Sequence, residues 1–181
     1  FISFLLTVWV YYFFRDPERY SVNDENYLVS PADGIISQIN VVNGPFELGL
    51  ENKKFTRVSI FMNVINCHVN RVPCAGKINK IFYKPGKYIN ASLDKASDEN
   101  ERNYIQLKSN NGEELVLVQI AGLIARRIVC NVKENDDLKQ GERFGIIRFG
   151  SRVDLYFENY KLLARVNQKT IAGESLIAKR I

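Results

Sequence analysis

Hydrophobic and polar positions divide the chain into two unlike parts. Residues 1–14, from Phe1 to Phe14, carry no charged side chain. Such a run predicts a helix of about 21 Å, short of the roughly 30 Å hydrocarbon core of a bilayer. Trp9, Tyr11 and Tyr12 gather toward one end, as interfacial aromatics do. The segment is therefore expected to be a membrane segment or interfacial anchor, with part of its apolar run lying upstream of Phe1. Arg15-Asp16-Pro17-Glu18-Arg19 ends the run, and its two arginines are expected to meet phosphates at a bilayer surface. This divides the chain into an anchor with its basic flank, 1–19, and a body, 20–181.

The body is patterned in short strands separated by turn signals. Tyr27–Ser30 precedes the turn Pro31-Ala32-Asp33-Gly34, and Ile35–Ile39 follows it. Arg57–Met62 is β-rich and runs on through Asn63–Pro73. Lys77–Tyr83 is a further strand. Asn90–Asn103 is polar and reads as a long loop. Tyr104–Leu107 and Leu115–Ile120 flank Ser109-Asn110-Asn111-Gly112, a hairpin signal. Ala125–Val132 is another strand, and Thr170-Ile171 with Leu176–Ala178 around Gly173 reads as a last hairpin. The prediction is a mainly β domain, a compact barrel or sandwich of short strands, with an N-terminal apolar helical membrane segment.

One junction stands apart. Phe144–Phe149 reads as a buried strand, and Val153, Leu155 and Phe157 alternate with Asp154, Tyr156 and Glu158 as in a half-buried one. Between them lies Gly150-Ser151. This pair is a common turn, but a hydroxyl beside a glycine carbonyl is also the least equipment needed to attack the chain's own peptide bond.

The net charge of +5 favours anionic partners such as lipid headgroups. The basic residues are scattered, which excludes a nucleic-acid footprint. Cys67, Cys74 and Cys130 form no C-x-x-C pair, and one histidine is too few for an ordinary zinc site, so no metal is expected and the thiols are read as reduced.

Any imidazole chemistry must pass through His68. A lone histidine is often only a satisfied core residue. Here Asn66, His68 and Asn70 share one strand face, which suits a site better than a core. Asp33 is either a turn aspartate bonding its own backbone or a carboxylate orienting His68. An Asp33–His68–Ser151 arrangement is permissible in this chain order. Two other classes fit parts of the pattern. One is a membrane-anchored Asp-His-Ser hydrolase, although no G-x-S-x-G elbow is present. The other is a non-enzymatic carrier domain, since Leu93-Asp94-Lys95-Ala96 faintly resembles a lipoyl attachment site.

A series of motifs then carries a specific resemblance: Phe14–Arg19, Ser30–Gly34, His68–Pro73, Pro85–Tyr88 with Asn90-Ala91, Asn100–Arg102, Ala121–Ile128, and Gly141–Gly145 running into Phe149–Arg152. In this order the chain resembles the short prokaryotic phosphatidylserine decarboxylases. It departs from relatives with Leu-Gly-Ser-Thr at the junction by reading Phe-Gly-Ser-Arg, with the Gly-Ser bond intact. The resemblance implies a pyruvoyl-dependent lyase that makes its own cofactor. The proenzyme would cut itself at Gly150-Ser151 into a β chain, 1–150, and an α chain, 151–181, with a pyruvoyl group formed from Ser151. That group would form a Schiff base with phosphatidylserine, and loss of CO2 would give phosphatidylethanolamine. The resemblance further implies Asp33 and His68 as the pair activating Ser151, and Asn70, Arg71 and Arg126 as headgroup contacts by their place in the motifs. The expected partners are phosphatidylserine in an anionic membrane, the α and β chains of one proenzyme, and further copies in a homo-oligomer. The expected location is the cytoplasmic face of the inner membrane.

Overall fold

The structure is a computed structural model, described for residues 1–88, 99–122, 127–148 and 151–181. It opens with α1, Ile2–Phe13, followed among the described residues by fourteen strands: β1 Tyr27–Val29, β2 Gly34–Asn43, β3 Lys54–Met62, β4 Val69–Arg71, β5 Gly76–Lys84, β6 Arg102–Ser109, β7 Glu114–Ile120, β8 Ile128–Cys130, β9 Asp137–Leu138, β10 Arg143–Ile147, β11 Ser151–Phe157, β12 Tyr160–Leu162, β13 Lys169–Thr170 and β14 Leu176–Arg180. Eight of them form a curled half-barrel sheet in the order β13-β2-β3-β11-β7-β6-β5-β9. Two three-stranded sheets, β1-β14-β12 and β4-β10-β8, complete the body.

Apolar side chains cover both faces of the large sheet. On one face Ile60, Met62, Leu117, Val153, Leu155 and Phe157 join the main core; on the other, Phe55, Tyr104, Val116, Val118, Ile120 and Tyr156 pack with Leu48 of the 3-10 turn Phe46–Leu48 and with Leu50 just after it. Each such aliphatic or aromatic side chain contributes about 1.5–3 kcal/mol by leaving water. This double cover corrects the expectation for β11. Its alternation suggested a half-buried strand, but all seven residues are buried, because β3 and β7 flank it and a core lies on each side.

The chain's C-terminal end also differs from the expected hairpin. β13 pairs with β2, whereas β14 pairs with β1 and β12, so the turn at Gly173 separates two sheets instead of closing one. The stretch after Met62 does not continue as strand. It turns at residues 63–66, where Asn63 Oδ1 accepts from the Ile65 N–H at 2.9 Å and Asn66 Oδ1 accepts from the Asn63 N–H at 2.9 Å. It resumes as β4.

α1 is apolar and helical as expected, but it is twelve residues long, and among the described residues no helix is long and apolar enough to cross a membrane. Nearly all of it is exposed; Phe13 alone among its residues is buried. The segment after it is fastened to the body. Asp16 pairs with Arg71 at 3.2 Å and Arg143 at 2.6 Å, Glu18 pairs with Arg143, and Arg19 pairs with Asp33. Of the two arginines expected to face lipid phosphates, Arg19 is thus paired with Asp33, and Arg15 donates to the Tyr12 and Ile65 carbonyls.

Candidate active site

The junction singled out in the sequence lies where two sheets meet. β10, of a three-stranded sheet, ends at Ile147, and β11, of the large sheet, begins at Ser151. Ser151 is paired with Met62 and fully buried, and its Oγ has no hydrogen-bond partner. Leaving such a group unsatisfied costs about 1–3 kcal/mol. Gly150 lies outside the described residues.

β4 runs alongside β10, and His68 immediately precedes β4, with the Ile147 N–H directed at its carbonyl at 3.3 Å. The His68 ring packs on that of Phe13, centroids 4.4 Å apart, so the end of α1 covers the histidine. Nδ1 lies 2.9 Å from the Asn66 carbonyl oxygen. In a neutral ring this makes Nδ1 the donor and Nε2 the basic nitrogen. Burial, reinforced by the positive charge of Arg15, pushes the imidazole down to about 4, against the Asn66 contact that opposes the shift. At neutral pH His68 is therefore an uncharged base.

Asp33 sits nearby but is otherwise engaged. Oδ2 accepts from Arg19 at 2.8 Å and Oδ1 from the Ala172 N–H at 2.8 Å. The contact at Nδ1 that the sequence suggested for Asp33 is made by the Asn66 carbonyl. Gly34 explains how β2 can start so close to β3 here: a Cβ on it would lie 2.2 Å from the Phe61 carbonyl oxygen.

Among the residues expected to hold the headgroup, Arg71 is buried and gives its guanidinium to the Gly141 and Pro17 carbonyls and to Asp16. Asn70 is fully buried and accepts from Gln119 Nε2 at 2.9 Å. Arg126 lies outside the described residues, as does Lys95 of the carrier alternative. Cys67 donates its thiol to the Arg15 carbonyl, and burial raises it above the usual thiol range.

Two cavities adjoin residues that touch His68. One, of about 610 Å³, is lined by Val10, Tyr11, Phe14, Arg15, Asp16 and Pro17 at the end of α1. The other, of about 400 Å³, is lined by Asp33, Asn63, Asn66 and Lys169 among others.

Sequence reasoning missed Phe13, Gln119 and Asn103 at this site. Phe13 is one aromatic among many in the apolar run. Gln119 and Asn103 lie in strands whose neighbours are apolar or unrelated, so no motif marks them.

A buried, unpartnered serine hydroxyl and an uncharged histidine thus lie where two sheets of a mainly β protein meet. Residues 6–178 match the family model described as phosphatidylserine decarboxylase. The chain is 65% identical over 179 residues to the phosphatidylserine decarboxylase proenzyme of Pelagibacter ubique, covering 99% of this chain and 83% of the relative. It is 55% identical to that of Ruegeria pomeroyi, over 96% of this chain and 80% of the relative, and 52% identical to that of Cereibacter sphaeroides, over 98% and 77%. The chain belongs to the phosphatidylserine decarboxylase family.

Proposed function

We propose that this protein matures by cutting its own Gly150–Ser151 bond and then decarboxylates phosphatidylserine, with Ser151 and His68 as its central residues. The activity and the pyruvoyl cofactor, made from a serine of the proenzyme, are those of the family. The observation that carries the assignment to Ser151 is its orphaned, fully buried Oγ at the head of a central strand. A group built from that side chain fits the place, since the hydroxyl has no structural bond to lose.

In the cut, His68 Nε2 takes the proton of Ser151 Oγ, which adds to the Gly150 carbonyl. The C–N bond breaks and an ester forms. Loss of the Ser151 Cα proton then expels the Gly150 carboxylate and leaves a C=C bond at residue 151. The CH2 carbon takes up a proton to become a methyl group, and water then displaces the nitrogen as ammonia, leaving a ketone carbonyl. Burial of Ser151 keeps bulk water from intercepting the ester by hydrolysis. The mature group supplies a carbonyl that holds the substrate amine and draws electrons from the bond that loses CO2. His68, neutral and desolvated, is suited to move a proton in both reactions. Asp33 supports the site at one remove, tying Arg19 and the Ala172 backbone across a cavity from the 63–66 turn. Asn70, Arg71 and Arg126 remain the headgroup candidates named by the motifs, with Arg71 also holding the 16–17 segment.

The exposed apolar surface of α1 suits a helix lying in the bilayer interface on the cytoplasmic side, bringing the cavity at its end to the lipid. Intact-mass analysis tests the central reading. It should find, from the 20.8 kDa chain, one piece of roughly 17 kDa and one of roughly 3.5 kDa with a blocked N-terminus. A single uncut chain in active protein would refute it.

A further inference from the structure

Three buried carboxamides run in series through the main core toward Ser151. Asn103 Nδ2 donates to Gln119 Oε1 at 3.0 Å, and Gln119 Nε2 donates to Asn70 Oδ1 at 2.9 Å. Each link fixes which end of the next amide is oxygen and which is nitrogen. The series therefore ends on Asn70 Nδ2, which meets Met62 Sδ at 3.7 Å. A thioether is a weak acceptor. An amide donor that is fully buried on such a partner is nearly as poorly satisfied as an orphan.

Met62 is also the strand partner of Ser151. An under-used donor and a bare hydroxyl oxygen thus flank one flexible methionine. The sequence keeps the path open. Gly145 is paired with Asn70, and a Cβ on it would lie 2.3 Å from the Val129 carbonyl oxygen and 3.0 Å from Gln119 Nε2. Only glycine lets the Gln119 amide cross β10 to reach Asn70.

We infer that Asn70 is a further catalytic residue, whose Nδ2–H donates to the oxygen of Ser151 during self-cleavage, and that Gln119 and Asn103 are positioning residues that set its polarity. A donor on Oγ fixes the attacking lone pair and leaves the hydroxyl proton to His68. The inference rests on self-cleavage at Gly150–Ser151.

The test follows the rate of self-cleavage of the full chain on denaturing gels, with thermal melting read alongside. The parent must cut and Ser151→Ala must not; failure there refutes the maturation itself, separately from any role of Asn70. Asn70→Ala should cut about 100-fold more slowly, the loss typical of one preorganised donor. Gln119→Glu carries the sharper reading. As a carboxylate it has no donor, so Asn70 turns its own N–H toward it and presents Oδ1 to Ser151. As a neutral acid it can donate and restore the parental polarity. Cutting by Gln119→Glu should therefore be at least tenfold slow at pH 8 and recover relative to the parent toward pH 6, where a buried carboxyl takes up its proton. A purely structural amide would not give that pH profile. Folded Asn70→Ala cutting within twofold of the parent would overturn the inference. If Asn70→Ala does not fold, Gln119→Glu decides: a rate relative to the parent that is unchanged between pH 6 and pH 8 overturns it.

Discussion

Ser151 and Arg152 are consecutive residues of β11, and the two faces they occupy meet the demands of burial in opposite ways. On one face the Ser151 hydroxyl is sealed from water without a hydrogen bond. On the other, Arg152 is equally buried, yet its Nε and a terminal nitrogen clamp the two oxygens of Asp154 at 2.6 and 2.7 Å. A bidentate pair of this kind offsets much of the cost of taking both charges out of water. The Arg152–Asp154 pair holds the second face, whereas the first leaves a polar atom unsatisfied at the residue where we propose that the reaction starts.

That contrast breaks if the two faces respond alike to substitution. The largest expected effect is that of Ser151→Ala: self-cleavage, read by intact mass, should vanish. Its melting temperature should equal or exceed that of uncut parent, since no hydrogen bond is lost. Asp154→Ala should do the reverse. Stranding a buried guanidinium costs about 3–5 kcal/mol, so denaturant unfolding should show a large loss of stability, while any properly folded fraction should still cut.

His68 sharpens the comparison through pH. Its folded value of about 4 lies below the ordinary 6.5, so between these the unfolded chain binds a proton that the folded chain refuses. Stability is thus intact above 6.5 and falls as pH drops toward 4, by on the order of 3 kcal/mol from this group. His68→Gln should remove that part of the pH dependence in denaturant titrations and should also block the cut. A parallel slope in both proteins would mean the ring is not desolvated. The smallest effect calibrates the rest. Lys53→Ala removes the exposed pair with Glu114, and should change stability by under about 1 kcal/mol.

Ser151 and His68 could be singled out because each carries a signal of its own: a Gly-Ser bond between two strand patterns, and a histidine without a second copy. Most strands were legible from period-2 alternation. The misreadings have physical causes. Alternation in β11 looked like a solvent-facing side because sequence does not show that Arg152 and Asp154 pair with each other. Gly173 looked like a hairpin because a turn has the same residues whether its arms join or part. For His68 a carboxylate partner was sought, and a contact such as that of Nδ1 with the Asn66 carbonyl could not be read from sequence, because every residue has a backbone carbonyl. The Asn103–Gln119–Asn70 series was invisible because its members come from three strands and meet only through register.

The pairing of β11 has one more consequence. Residues 151–181 supply β11 to β14, and these lie against β3, β7, β2 and β1, all from the part before the junction. After a cut, the short piece would be woven into its partner with no free route out short of global unfolding. A cofactor carried on its first residue could be neither dialysed away nor replaced. Each molecule would then have a single catalytic life, ending when that one carbonyl is spent by a side reaction, and renewal would require synthesis of a new chain.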